Sequence, residues 1–124
     1  MPFTPVIGHY MMLHERLREI RLRGIDFFVS RHSTLAEYFR KGMKRLPFNF
    51  FPTNPSNALT AMSCPKDIDA FDLVKRLAAG FNCFVAPNEG DLKHRVFRVS
   101  HFGEQNERDI DFLINALEAT LNNS

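Results

Sequence analysis

The chain has 124 residues, 44% of them hydrophobic and 24% charged, with a formal net charge of +2. That length suits one domain and is short for most complete two-domain enzymes, and the composition excludes a disordered or collagen-like chain. No apolar run approaches the roughly 18 residues of a membrane span, and Met1-Pro2-Phe3-Thr4-Pro5 lacks the basic and apolar regions of a secretion signal, so a cytoplasmic protein is expected.

Taken in order, Thr4-Pro5 opens in an extended or turn conformation. Tyr10, Leu13, Leu17 and Ile20 recur at helical spacing from about His9 to Arg23, and Gly24 is placed to stop that helix. A second helix is predicted from about Asp26 to Arg45, carrying Phe28, Leu35, Tyr38, Phe39 and Met43, and Pro47 forbids its continuation. Phe48–Phe51 reads as a short strand, followed by the turn residues of Pro52–Asn57. Ala58–Cys64 reads as a second strand, ended by Pro65. Asp69 is a helix cap, Phe71, Val74, Leu77 and Ala78 mark the buried stripe, and Gly80 stands where a C-cap is expected. Phe81–Ala86 reads as a third strand, Pro87-Asn88-Glu89-Gly90 as a turn and His94–Ser100 as a fourth strand. The last helix is capped by Asn106 and striped by Ile110, Leu113, Ile114, Leu117 and Leu121.

This order predicts an α+β fold: a small, largely antiparallel sheet of about four strands with helices packed on one face, preceded by a long N-terminal helix. The whole chain, 1–124, reads as one domain, with 1–24 as a segment and helix and 25–124 as an α/β sandwich.

Few residues stand in a pattern that carries chemistry. Residues 1–45 hold nine Lys/Arg against four Asp/Glu, but Arg16, Arg18, Arg21 and Arg23 point in several helical directions among Glu15 and Glu19. They read as a solvated face with local ion pairs, and no nucleic-acid partner is expected. His14-Glu15 begins like a zinc-protease motif, but position 18 is Arg. His9 and His14 do not share a helix face, and Cys64 and Cys83 lie in separate predicted segments without a ligand cluster, so no metal site is assigned. Two cysteines give no disulfide framework. No nucleophile elbow or phosphate-binding glycine loop is present. Arg98 differs: it sits inside a strand between apolar neighbours, so its guanidinium either pairs with an acid or points into a cleft. Both readings are open at this point.

Leu92-Lys93 followed by Val96-Phe97-Arg98-Val99-Ser100-His101-Phe102-Gly103 resembles the carboxy-terminal signature of class V aminotransferases, the family of alanine–glyoxylate and serine–pyruvate aminotransferases. Thr4-Pro5, Leu13, Glu15 and Leu17 resemble that family's interdomain segment, Arg31-His32 its R-H pair, and Pro55-Ser56-Asn57-Ala58-Leu59-Thr60-Ala61 the start of its strand. The resemblance covers almost the whole chain. It implies the small domain of a fold-type I enzyme dependent on pyridoxal phosphate, which moves an amino group between an amino acid and a 2-oxo acid or glyoxylate. By the same resemblance Arg98 binds the substrate α-carboxylate and Thr4 touches the cofactor phosphate bound in the partner subunit.

The sequence also departs from the family. The Schiff-base lysine and the aspartate on the pyridine nitrogen lie, in the family, in a large domain upstream of Thr4, and neither is present here. No catalytic residue is therefore assigned. The expectation is a truncated or split chain that is inactive alone, binds no pyridoxal phosphate by itself, and works with a separate large domain or as a homodimer. The alternative is a stand-alone, non-catalytic interaction or dimerisation domain derived from that fold. Met1 and Phe3 stand near a position where the family often has tyrosine, and Pro87-Asn88-Glu89-Gly90 replaces a frequent G-G-Q-G turn. Pro2, Phe3, Pro5, Val6, Ile7, Tyr10, Met11 and Met12 form an apolar cluster that a chain of this size cannot easily bury, so association through residues 1–20 is expected.

Overall fold

The computed structural model describes Thr4 and residues 6–123. Met1, Pro2, Phe3 and Pro5, invoked above, lie outside the described residues. The chain divides into two compact units, Met1–Arg31 and His32–Ser124.

The first unit contains helix α1, Ile7–Arg23, and the opening turns of α2, Ile25–Met43. Gly24 separates them with φ +83°, a conformation that favours glycine, and its N–H closes α1 on the Ile20 carbonyl. Charged side chains pair along α1: Arg16 with Glu19 at 2.6 Å, Arg18 with Glu15 at 3.3 Å and Arg23 with Glu19 at 3.6 Å. The Arg23 guanidinium also lies 5.0 Å from the Phe27 ring centroid. The helical spacing of Tyr10, Leu13 and Leu17 produces the helix but no burial, for no residue of α1 is buried.

The second unit is a four-stranded, wholly antiparallel sheet in the order β1-β2-β4-β3. The strands are β1 (Asn49–Phe50), β2 (Leu59–Ser63), β3 (Ala86–Pro87) and β4 (Val96–Ser100). Met62 pairs with Phe97 and Thr60 with Val99. All four are buried and share one face, because side chains alternate along a strand. Against that face pack Leu35, Phe39 and Met43 of α2, Leu73 and Leu77 of α3 (Ala70–Phe81), and Ile110, Leu113, Ile114 and Leu117 of α4 (Glu107–Asn122). Ala61, Arg98 and Ser100 alternate onto the opposite face. This is the α+β arrangement read from the sequence.

Two local readings are corrected. Gly80 does not end α3; the helix runs through Phe81 and closes at Asn82, which takes the left-handed conformation with φ +51° and returns its N–H to the Ala78 carbonyl. Asparagine tolerates that region, so the glycine is not needed. The third strand is not Phe81–Ala86 but only Ala86–Pro87. Phe81 instead finishes α3 against the core, and the next residues are a connection in which Phe84 is largely exposed. Pro87 is thus a strand residue, and Gly90–Leu92 forms a single 3-10 turn.

A buried polar chain ties α2 to the ends of β2 and β4. Arg40 Nε donates to Thr60 Oγ1 at 3.2 Å, and its other nitrogens donate to Asn57 Oδ1 and the Ser56 carbonyl. Arginine cannot accept, so the Thr60 oxygen accepts from Arg40, and the same oxygen shares a hydrogen bond with His101 Nε2, 2.7 Å away. The other ring nitrogen of His101, Nδ1, is buried and has no partner among the described residues. Burial first, then the charges of Arg40 and His32, push its pKa down from 6.5 to about 4.

Two outcomes follow from this packing. His101 charges in the unfolded chain at a higher pH than in the folded one. Folding stability is therefore full above about pH 6.5 and falls as pH drops toward about 4, by on the order of 3 kcal/mol in total. Urea unfolding at pH 7, 5.5 and 4.5 checks this, and His101→Phe is expected to flatten that interval. At α4, Asn106 accepts from the Arg108 and Asp109 N–H groups while Asp109 accepts from the Asn106 N–H, a complete capping box. Asn106→Ala is expected to lower stability by about 1 kcal/mol, read from the urea midpoint.

Candidate functional site

Arg98 lies at the middle of β4, the strand with a neighbour on each side. The alternation of Val96-Phe97-Arg98-Val99-Ser100 sends Phe97 and Val99 into the core and leaves Arg98 exposed on the opposite face, which it shares with the buried Val96. Its in-register neighbours are Ala61 on β2 and Ala86 on β3, both short side chains. One guanidinium N–H, on Nη2, donates to the Pro87 carbonyl at 3.0 Å. No acid faces Arg98 among the described residues, so the ion-pair reading of its position finds no partner. Four of the five N–H donors of the guanidinium remain for another acceptor.

The turn beside Arg98 is held by its own contact. Asn88 Nδ2 donates to the Val96 carbonyl at 3.4 Å, next in the ladder after the Pro87–Phe97 pair. Gly90, at φ +59°, then turns the chain into the short 3-10 segment. Sequence reading singled out Arg98 but treated Asn88 only as a turn residue. The one available signal was an asparagine directly after a strand-edge proline.

Thr4 is exposed, and it belongs to the unit Met1–Arg31, whereas Arg98 belongs to His32–Ser124. Each is thus described in its own unit. The other polar groups of the second unit are engaged in structure. Asp69 Oδ1 caps α3 through the Asp72 N–H, and Asp69 Oδ2 lies 2.6 Å from His94 Nδ1. The Asp72 N–H, then His94, hold the Asp69 carboxyl below its ordinary pKa. Lys75 and Lys93 lie 4.3 and 4.2 Å from the Phe71 ring centroid. Cys64 is half-buried and burial pushes its thiol up to about 12, which leaves it protonated rather than a thiolate nucleophile at neutral pH. A recess of about 590 Å³ lies between α2 and α4, lined by Tyr38, Lys41, Gly42, Arg45 and Asp111. It is in the helix layer, on the other side of the sheet from Arg98.

No protein-family model matches the chain. It is 30% identical over 122 residues to the small subunit of a soluble hydrogenase from a Synechococcus species. It is 25% identical over 123 residues to the serine–glyoxylate aminotransferase of Methylorubrum extorquens. Each match takes in 97% of this chain but only about a third of the relative. Among solved structures, an alanine–glyoxylate aminotransferase from a Nostoc species superimposes with a TM-score of 0.90 at 28% identity, over 96% of this chain and 32% of that one. Pyridoxamine–pyruvate aminotransferase from Mesorhizobium loti shares the fold, with a TM-score of 0.87 at 20% identity, over 99% and 32%. In sequence and in fold, the chain is similar to about a third of a class V aminotransferase, consistent with the small C-terminal domain of those enzymes.

Proposed function

We propose that the chain serves as the small domain of a cytoplasmic, pyridoxal-phosphate-dependent aminotransferase that moves an amino group between an amino acid and a 2-oxo acid or glyoxylate. Arg98 anchors the substrate α-carboxylate. The observation that carries this reading is an exposed arginine in the middle of a strand, held by one carbonyl and faced by no acid among the described residues. A planar guanidinium matches a carboxylate with two parallel N–H groups and so fixes the orientation of the α-carbon.

Pyridoxal phosphate, when bound, supplies the electron sink for that carbon. The described residues fit only part of such a site. Thr4 offers one exposed hydroxyl to the cofactor phosphate. The lysines are exposed or half-buried surface groups, two of them lying over Phe71. The cofactor pocket and its lysine are therefore assigned to the two thirds of the relatives that these residues do not span. Residues 1–124 act as one small domain in this reading, with 1–24 as the segment joining it to the large one.

Mixing the chain with the cofactor-loaded large domain of a relative is expected to give amino transfer that neither piece shows alone. In that mixture Arg98→Ala is expected to lower kcat/KM by the equivalent of roughly 2–4 kcal/mol. The melting temperature of the Arg98→Ala chain is expected to match that of the unaltered one. Unfolding of the variant would make Arg98 a structural residue and end this reading.

A second reading, a non-catalytic interaction domain, is favoured by α1. Ile7, Tyr10, Met11, Leu13 and Leu17 are all more than half exposed, which is unusual for five large apolar residues on one helix. Two of the relatives are named as soluble hydrogenase subunits rather than as aminotransferases. In this reading the chain self-associates through residues 1–20 as a two-fold dimer. Sedimentation at micromolar concentration is expected to show a dimer for the full chain and a monomer once residues 1–12 are removed. Monomers in both cases would exclude it.

A further inference from the structure

We propose that Asn88 is a positioning residue for Arg98: it pins the strand-edge carbonyl on which the guanidinium rests, so that the remaining donors point at a fixed place. The inference rests on Arg98 as the carboxylate anchor and adds how this particular chain aims it.

The starting point is a physical difficulty. An exposed arginine on a sheet surface has four freely rotating side-chain bonds, and ordering such a side chain costs about 1.5–2 kcal/mol. A two-pronged contact needs the plane of the guanidinium to be set before the carboxylate arrives, or that cost falls on binding. In this chain the plane is set by a single hydrogen bond, from Nη2 to the Pro87 carbonyl.

That carbonyl belongs to an edge strand of only two residues, Ala86–Pro87. Such a strand is weakly held. Proline has no N–H, so Pro87 can donate nothing to the ladder with Phe97. The next donor comes from a side chain: Asn88 Nδ2 reaches the Val96 carbonyl, on the residue beside Phe97 in β4. Only the amide NH₂ can donate to a carbonyl, so the orientation of the Asn88 amide is settled by its partner. The contact runs Val96 to Asn88 to Pro87 to Arg98, beginning and ending on the same strand, two residues apart. It is a closed brace across one edge of the sheet.

The flanks of Arg98 fit this arrangement. Ala86 on the braced side is short enough for the guanidinium to lie back over β3, and Ala61 on the β2 side leaves the opposite edge of the guanidinium clear. Gly90 completes the turn at a positive φ, which fixes where Asn88 leaves the strand.

Nitrogen-15 relaxation at the Arg98 Nε–H of the full chain tests the brace without substrate or cofactor. Arg108 serves as the reference, since it is exposed and its guanidinium has no partner among the described residues. In the unaltered chain the Arg98 signal is expected to be clearly more ordered than that of Arg108. Asn88→Ala, and Asn88→Leu, which keeps the shape but removes the donor, are each expected to bring Arg98 down to the Arg108 level. The backbone amides of Phe97 and Val99 and the melting temperature are expected to hold. A merely structural role for Asn88 would shift the melting temperature and leave the Arg98 signal ordered. Arg98 as mobile as Arg108 from the outset, or still ordered in both variants, would overturn the proposal. Because no carboxylate is added, an ordered Arg98 that later proves silent in amino transfer would sink the carboxylate-anchor reading and leave the brace standing.

Discussion

The pairing of Leu59–Ser63 with Val96–Ser100 is the constraint on which the second unit depends. These are the two central strands, and β1 and β3 contribute only two residues each, too few to set a register alone. With Met62 opposite Phe97 and Thr60 opposite Val99, the core face is complete, and Arg98 necessarily lies on the other. A slip of one residue in β4 would turn Arg98 toward Phe39, Leu77 and Leu117 and put Phe97 in water. A guanidinium there would have no acid, and an unpaired buried charge costs several kcal/mol. The register is also locked at both ends: the His101 N–H donates to the Ala58 carbonyl and the Cys64 N–H to the Arg95 carbonyl. The face on which Arg98 stands is thus a consequence of core packing.

Two arginines in the same unit show opposite uses of one side chain. Arg40, half-buried, directs its nitrogens to Thr60, Asn57 and the Ser56 carbonyl. Burial lowers its pKa against the pull of Glu37, and three of its five N–H donors are engaged within the protein. Arg98 uses one donor on Pro87 and presents the rest to solvent. The first arrangement ties helix α2 to β2 and to the loop that leads into it. The second orders a charge while leaving it unsatisfied. That combination is what the proposed recognition of a carboxylate requires.

Much of this was legible in the sequence, and the exceptions have physical causes. Helix α4 was plain because Asn106, Asp109 and the Ile110–Leu121 stripe all point to the same element. Arg98 was plain because a charge in Val96–Ser100 breaks an otherwise apolar alternation. The end of α3 was misplaced because glycine is the commoner C-cap, yet Asn82 can take the left-handed conformation two residues later. The run Phe81–Ala86 was misread because a short apolar run has no periodicity to separate a helix end from a strand. The Arg40–Thr60–His101 chain was invisible for another reason. Its links join residues 20 and 41 apart, and nothing in local pattern announces a contact at that distance. For α1, spacing gave the helix correctly but could not say whether its apolar residues would be covered.

The edges of the sheet bear on what can meet the face that carries Arg98. An exposed strand edge invites another strand, but β3 ends in a proline that presents no N–H, and the Pro87 carbonyl is already engaged by Arg98. Addition of a strand on that side is therefore disfavoured by the same residue that orients the arginine. What remains is the face that carries Arg98, where its nearest neighbours include Ala61, Ala86 and Ser100 together with the buried Val96. In the proposed function a large domain packs over this face, covers the guanidinium and excludes water from it. Exclusion of water strengthens a charge-assisted hydrogen bond. In that proposal the small domain supplies the cation, and the surface that closes over it supplies the low-dielectric wall.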